Sequence, residues 1–169
     1  MEFRKANKPD INRIMEIIGQ AQAYFRGQGI NQWQNNYPNP QVILNDINHD
    51  YSYVLTNDGR IIGTCAVSFD GEKTYNKIYN GRWLTDNPYA VVHRIAVDNE
   101  FKGSGVASEI LRNIEKMCLD RGVYSIRVDT HEDNKSMQRL LEKNNYVYCG
   151  IIYLEDKSPR LAYEKVLFS

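Results

Sequence analysis

The central part of the chain contains the sequence Val97-Asp98-Asn99-Glu100-Phe101-Lys102-Gly103-Ser104-Gly105-Val106-Ala107-Ser108. The apolar run before it, Tyr89–Val97, predicts a strand, and apolar residues recur at helical spacing from Val106 to Cys118. A loop containing glycine therefore joins a strand to a helix. Unpaired N–H groups in the first turn of a helix carry partial positive charge, and small residues let an anion approach them. The stretch predicts a phosphate-binding site, to which Lys102 would add a full positive charge.

Three designs of phosphate-binding loop compete for this stretch. A P-loop needs four residues between its glycines and then Lys-Ser/Thr, and that pattern is absent. A Rossmann fingerprint, Gly-x-Gly-x-x-Gly, fits Gly103 and Gly105, but the third place is Ser108. Asp129, at the end of the next predicted strand, would correspond to the acidic residue that binds the ribose in a Rossmann site. The glycines, however, follow the strand by five or more residues, and no further βαβ units follow Asp129. A dinucleotide-binding oxidoreductase therefore remains the weaker alternative.

A third design fits the loop better. Lys102-x-x-Gly105-x-Ala107 resembles the coenzyme A pyrophosphate loop of the GNAT acetyltransferase superfamily, whose usual form is Arg/Gln-x-x-Gly-x-Gly/Ala. The preceding residues His93–Val97 are similar to the strand before that loop. The later residues Asn134–Tyr146 are similar to the family's helix with the pattern Asn…Tyr-Glu-Lys-x-Gly-Phe. The resemblance covers about Tyr51 to Leu154.

The rest of the pattern predicts a mixed α/β chain. The predicted order of elements is β, α, α, β, β, β, α, β, α, β, β, and strand Tyr89–Val97, its helix and strand Val123–Asp129 form one βαβ unit. The resemblance implies a single N-acetyltransferase domain over residues 1–169. Its sheet would be central, mixed and mostly antiparallel, with one splayed parallel strand pair and flanking helices.

The resemblance also implies an activity, which is transfer of acetyl from acetyl-CoA directly to a primary amine of a small molecule or peptide. The pantetheine arm would bond the backbone of Ile95, Ala96 and Val97. The pyrophosphate would lie on a loop formed by Lys102, Gly103, Ser104, Gly105, Val106, Ala107 and Ser108. Asn134 matches an asparagine that contacts the coenzyme, and equally reads as a helix cap.

His93 is the predicted general base, because a neutral imidazole accepts a proton near neutral pH. Regular alternation would place it on the strand face of Val91, Ile95 and Val97; the alternative is a partly buried histidine bonded to a neighbour. Leu141 stands where the family usually has a tyrosine that protonates the thiolate. The thiolate would then leave unprotonated, or use water, Tyr146 or Tyr148. This departure keeps a non-catalytic acyl-CoA-binding or sensor protein open.

Four side chains are candidates for the acceptor pocket. Trp33 and Tyr37 lie in the loop after the first helix, Trp83 precedes the strand that carries His93, and His131 follows the next strand. Aromatic rings with polar tips suit a small amine or a peptide end. The alternative for each is local packing of a loop.

Composition limits the other classes of function. Lys+Arg and Asp+Glu are both 21 in 169 residues, so there is no basic excess for nucleic acid. Cys65, Cys118 and Cys149 are widely spaced and predict reduced core thiols, and no cluster with ligand spacing predicts a metal. No signal peptide or membrane span is predicted, so we expect a cytoplasmic protein. The oligomeric state, including a homodimer, stays open.

Overall fold

The structure, a computed structural model, describes residues 1–168. Within them the chain forms seven strands and four helices in the predicted order. The strands are β1 (Glu2–Lys5), β2 (Ser52–Asn57), β3 (Arg60–Ser68), β4 (Ala90–Val97), β5 (Ser125–Thr130), β6 (Val147–Tyr153) and β7 (Pro159–Val166). The helices are α1 (Ile11–Gly27), α2 (Pro40–Asn48), α3 (Val106–Asp120) and α4 (Lys135–Lys143). Short 3₁₀ turns cover Lys8–Asp10, Lys73–Tyr75 and Asn99–Phe101.

The sheet is mixed, as predicted. Its strand order is β1-β2-β3-β4-β5-β7-β6. The pairs β1–β2, β2–β3, β5–β7 and β6–β7 are antiparallel, whereas β4 and β5 are parallel. Because a parallel pair needs a crossover between its strands, α3 lies between β4 and β5 in the chain, and the predicted βαβ unit is confirmed.

The chain divides into two compact units. The first contains Met1–Val67 and Arg94–Asn113, and the second contains Ser68–His93 and the residues from Ile114 onward. Strand β4 belongs to both units, since its first residues lie in the second unit and its last residues lie in the first. The residues of interest are described below within the unit to which each belongs.

The first unit has its core under α1. Ile14, Ile17 and Ile18 recur at helical spacing and are fully buried, which is how an amphipathic helix covers a sheet. The same cluster includes Ala6, Ile43, Val54, Ile61 and Ala96. Gly63 in β3 permits a close approach of α3, because a Cβ there would lie 2.7 Å from the Cδ1 atom of Ile110. This packing fixes the start of α3 against the sheet.

The second unit combines an apolar cluster with a buried polar network. Tyr75, Val91, Ile152 and Ala162 form the apolar cluster. The carboxylate of Glu164 is fully buried and accepts bonds from the Leu84 N–H (2.7 Å) and the Thr85 hydroxyl (3.0 Å). The hydroxyl of Ser125 also donates to it. Because a buried carboxylate needs such donors or a paired cation, and two of these donors belong to Leu84 and Thr85, the network fixes the segment before β4.

All three cysteines are free and buried, in agreement with the prediction of core thiols. Burial raises the pKa of Cys149 to about 11 and that of Cys118 to about 12, so both remain protonated thiols near neutral pH. As for membranes, within residues 1–168 every helix is too short or too polar to cross a bilayer.

Candidate active site

Strands β4 and β5 begin as a pair and then separate. Their register pairs are Ala90 with Ile126 and Val91 with Arg127. Beyond these, β5 continues to Thr130 and β4 continues through Val92 and His93 with no further register pair in the described chain. Parallel strands that stop pairing leave backbone N–H and C=O groups without sheet partners. The predicted splayed strand pair is therefore present.

The strand β4 does not alternate regularly, which corrects one prediction. Arg94 has φ of +54°, in the left-handed region that residues with a Cβ rarely adopt. A left-handed residue within a strand acts like a β-bulge and re-aims the side chains that follow it. The premise of that expectation, regular alternation from His93 through Ile95 to Val97, is therefore wrong, because Arg94 is not extended.

The side chain of Arg94 is fixed within the first unit. Its Nε and Nη2 atoms donate to the two carboxylate oxygens of Asp46, at 2.8 and 2.7 Å. Its Nη1 atom donates to the hydroxyl of Tyr37 at 3.0 Å. Tyr37, a predicted acceptor-pocket residue, therefore has a hydroxyl oriented by a cation, while its side chain remains exposed.

The glycine loop before α3 is open to solvent. Lys102, Gly103, Ser104 and Gly105 are all exposed, and the two glycines have φ of +79° and +85°. At the start of the helix the Glu109 N–H donates to the Gly105 carbonyl at 3.0 Å. The first turn of α3 lies at the positive end of the helix. This arrangement has the open backbone and the helix start that the predicted anion site needs, and the role of its residues toward a phosphate stays a prediction.

The loop is held at its start by Asp98, which is buried. Its carboxylate accepts the Glu100 N–H at 2.8 Å and pairs with the guanidinium of Arg13. Burial alone would raise the pKa of Asp98, but these two donors outweigh it and hold the pKa below its usual value. Asp98 is thus an ionised anchor between α1 and the loop.

Lys102 has a different neighbour from the one that its predicted role assumes. Its ammonium lies 4.3 Å from the centre of the Tyr24 ring, a cation–π contact on α1. The contact keeps the positive charge beside the loop while the side chain remains exposed.

His93 lies in the second unit and has a carboxylate partner. Its Nε2 atom lies 3.3 Å from Oε1 of Glu72, and both side chains are partly buried. The hydrogen bond to His93 is the largest cause that lowers the pKa of Glu72, so this carboxyl is ionised near neutral pH. A histidine held by a carboxylate is a common arrangement for a general base.

Asn134 and His131 are engaged in local bonds of the second unit. Asn134 is buried, and its side-chain oxygen accepts the Met137 N–H at 3.1 Å, so the predicted cap of α4 is confirmed. The Nδ1 atom of His131 accepts the Asp133 N–H at 3.0 Å. Burial, followed by the charge of Arg160, lowers the pKa of His131 and favours its neutral form.

The two tryptophans pack inside separate units. Trp33 meets the ring of Phe25 edge to face, with centroids 5.7 Å apart, and joins the core under α1. Trp83 donates its indole N–H to the Tyr75 carbonyl at 2.9 Å, and its ring lies against the guanidinium of Arg127. Local packing therefore accounts for much of each ring, and both remain partly exposed.

The position at which the resemblance predicts a general acid is occupied by leucine and is buried. Leu141 is fully buried. Of the alternative donors, Tyr146 is also buried, and burial, followed by the charge of Glu115, raises its pKa well above the usual value. Tyr148 is about half exposed, and its ring meets that of Tyr163 edge to face. Tyr148 is therefore the better placed of the two tyrosines for contact with a substrate.

Comparison with known proteins gives the family. Residues 21–146 match the model of the acetyltransferase (GNAT) family. The crystal structure of a GNAT-family acetyltransferase from Streptococcus agalactiae 2603 superposes with a TM-score of 0.92 at 37% identity, over 99% of this chain and 96% of that one. The chain belongs to the GNAT acetyltransferase family. It is therefore an acyltransferase with the fold that the sequence predicts.

More distant GNAT-like structures share the fold. A Staphylococcus aureus Mu50 protein superposes with a TM-score of 0.76 at 25% identity, over 99% of this chain and all of that one. A Thermoplasma acidophilum N-acetyltransferase, solved in complex with coenzyme A, superposes with a TM-score of 0.72 at 16% identity, over 98% of both chains.

Sequence reasoning missed several polar pairs that involve or neighbour the predicted site residues. Glu72, the partner of His93, and Tyr75, whose hydroxyl donates to Asp129 at 2.6 Å, lie in a segment with no clear periodicity. The pairing of Asp46 with Arg94 was also missed. Each pair joins positions that are distant in the sequence, and no local pattern signals such a pair.

Proposed function

We propose that this acetyltransferase transfers the acetyl group of acetyl-CoA to a primary amine of a small molecule or peptide. The observation that carries the proposal is the exposed loop Lys102–Gly105 at the positive end of α3. Two glycines in left-handed conformation leave its backbone open, and the cation of Lys102 is beside it. A coenzyme with a pyrophosphate matches this site in charge.

The remaining coenzyme contacts follow the family pattern. We assign the backbone of Ile95, Ala96 and Val97 to the pantetheine arm, and the first turn of α3, Val106 to Ser108, to the pyrophosphate. We also assign Asn134 to a coenzyme contact, in line with the family pattern. The coenzyme, when bound, supplies an activated thioester, and the chain supplies orientation and proton transfer.

The chemistry needs a neutral amine and a place for its proton. His93 accepts that proton in our proposal, supported by its partial exposure and its carboxylate partner. A strand N–H of β4 would stabilise the negative charge that develops on the carbonyl oxygen. With Leu141 buried, the leaving thiolate takes its proton from water or from Tyr148.

Four side chains that are not fully buried are our candidates for acceptor recognition, each considered within its own unit. They are Trp33 and Tyr37 in the first unit and Trp83 and His131 in the second. We propose that both units belong to one acetyltransferase domain over residues 1–169, because the family model spans parts of both. We further propose that the enzyme acts in the cytoplasm.

A thermal unfolding experiment tests the coenzyme. Acetyl-CoA at about 100 times its dissociation constant should stabilise the protein by about 2.7 kcal/mol, which shifts the midpoint visibly, whereas NAD and ATP should not. A shift with NAD alone would replace the proposal by the dinucleotide-binding alternative. A shift with acetyl-CoA, but no turnover of an amine panel that includes peptides, would favour the acyl-CoA sensor.

A further inference from the structure

One short turn contacts both of the strands that separate. The 3₁₀ turn Lys73–Tyr75 and its capping residue Glu72 lie in the segment between β3 and β4. Glu72 contacts His93 on β4 at 3.3 Å, and the hydroxyl of Tyr75 donates to Asp129 on β5 at 2.6 Å. Both contacts lie within the second unit and just beyond the last register pair, Val91 with Arg127. The turn therefore supplies side-chain bonds where the backbone bonds of the two strands stop.

The position of Glu72 is itself fixed. Its backbone N–H donates to the hydroxyl of Tyr89 at 3.4 Å. The ring of Tyr89 lies against the guanidinium of Arg127, 4.0 Å from its centre, and Arg127 in turn donates to the Thr85 carbonyl at 2.6 Å. Tyr75 is fully buried and so anchors the other end of the turn. Glu72 thus reaches His93 from a rigid support.

The pairing determines which ring nitrogen of His93 carries the proton. An ionised carboxylate has no proton to donate, so it can only accept a hydrogen bond. The nitrogen that faces Glu72 is Nε2, so Nε2 must be the N–H of the neutral ring. The lone pair then lies on Nδ1, since a neutral imidazole has one donor and one acceptor nitrogen.

We propose that Glu72 is a positioning residue that holds His93 as the Nε2–H tautomer, so that Nδ1 accepts the proton of the acceptor amine. This inference rests on the proposed role of His93 as general base. The amine nitrogen forms the new bond to the acetyl carbon, the carbon–sulfur bond breaks, and the sulfur leaves with the electron pair. The proton that the amine loses goes to Nδ1, and Glu72 stays ionised beside the imidazolium.

Nitrogen-15 NMR of the histidine rings tests the tautomer in the protein without coenzyme, at a pH where His93 is neutral. The parent should show the proton on Nε2 of His93, with an N–H signal protected from exchange by Glu72. Glu72→Ala should lose that protection. Tyr75→Phe is the matched control, because it removes the other bond of the same turn and should leave the His93 signal in place. A proton on Nδ1 of the parent would overturn the inference.

Kinetics supply the second measurement. Glu72→Ala should lower kcat by about 10-fold or more, within the roughly 10²- to 10⁴-fold that a general base contributes, while the Kd for acetyl-CoA stays the same. Glu72→Asp, which keeps the charge, should recover part of the rate. Full activity in Glu72→Ala would contradict the inference and leave acetyl transfer intact. Loss of acetyl-CoA binding by the parent would instead contradict the proposed function, and the NMR result would still decide the tautomer.

Discussion

Arg94 and Asp46 form a bidentate ion pair in which the side chains are only 15% and 4% exposed. The pair holds the one residue of β4 with left-handed backbone. A buried guanidinium needs a full set of acceptors, and Asp46 provides two of them. The local geometry of β4, next to His93, therefore depends on a carboxylate from α2.

Asp46→Asn should destabilise the protein strongly. The substitution leaves a buried cation without its counter-charge, and loss of one partner of such a pair costs about 3 to 5 kcal/mol. Urea denaturation measures the free energy of unfolding. The control is Glu100→Gln, which breaks the ion pair between Glu100 and Arg60. The two side chains are 63% and 55% exposed, so the loss of this pair should cost about 1 kcal/mol or less. Equal losses in the two variants would show that burial of the Arg94 pair is unimportant.

Gly105→Ala should weaken coenzyme binding. The residue has φ of +85°, so alanine costs about 1 to 2 kcal/mol of strain, and its methyl group would occupy the space that we assign to the pyrophosphate. Gly122→Ala is the matched control, because Gly122 also has positive φ (+69°) and, like Gly105, would place its Cβ in open space. Calorimetric titration with acetyl-CoA should show weaker binding only in the first variant. Similar affinities in both variants would argue against the loop assignment.

His93→Ala should slow acetylation without loss of coenzyme. Removal of a general base lowers kcat by about 10²- to 10⁴-fold, whereas we assign acetyl-CoA binding to backbone groups elsewhere and expect its Kd to stay the same. Steady-state kinetics from pH 6 to pH 9 and a titration with acetyl-CoA separate the two effects. His49→Ala, at an exposed residue that follows α2, is the control and should retain the parent rate. A parent-like rate and pH profile in His93→Ala would remove His93 from the mechanism.

Asp98 should contribute to stability in a manner that depends on pH. Its pKa is lowered in the folded state, so its contribution is complete above the unfolded value of about 3.9 and is lost as the pH falls through the folded value. Asp98→Asn should therefore be less stable near neutral pH and should lose less stability on acidification than the parent. Urea denaturation between about pH 3 and pH 6 measures this slope. Asp86→Asn, at an exposed position, controls for the loss of one negative charge. An unchanged slope in Asp98→Asn would refute the anchor role.

Local patterns were sufficient for much of the fold. The helical spacing of Ile14, Ile17 and Ile18 predicted α1 and its buried face, and the apolar run Tyr89–Val97 predicted β4. The glycine loop could be recognised because its function uses backbone groups, so small residues and a following helix are its whole signal. The roles of its residues toward acetyl-CoA stay predictions.

The error at β4 shows where such patterns fail. Alternation of side chains follows from extended backbone at every residue, and the sequence contains no mark that Arg94 is left-handed, since that conformation usually calls for glycine or asparagine. The bonds from Arg94 to Asp46 and Tyr37 provide compensating interactions for this conformation. These partners come from distant parts of the chain, so the exception could be seen only in the folded protein.

The sequence by itself determined the order of elements, the parallel βαβ unit and the glycine loop before α3, because each depends on residues that are neighbours in the chain. Only the tertiary structure decided that Glu72 faces His93, that Tyr75 bonds Asp129 and that Asp46 neutralises Arg94. Such pairs need two distant segments to be placed within about 3 Å of each other by the packing of the whole sheet and its helices. A charged residue in a loop belongs to no periodic pattern, so the sequence does not indicate which distant residue it pairs with.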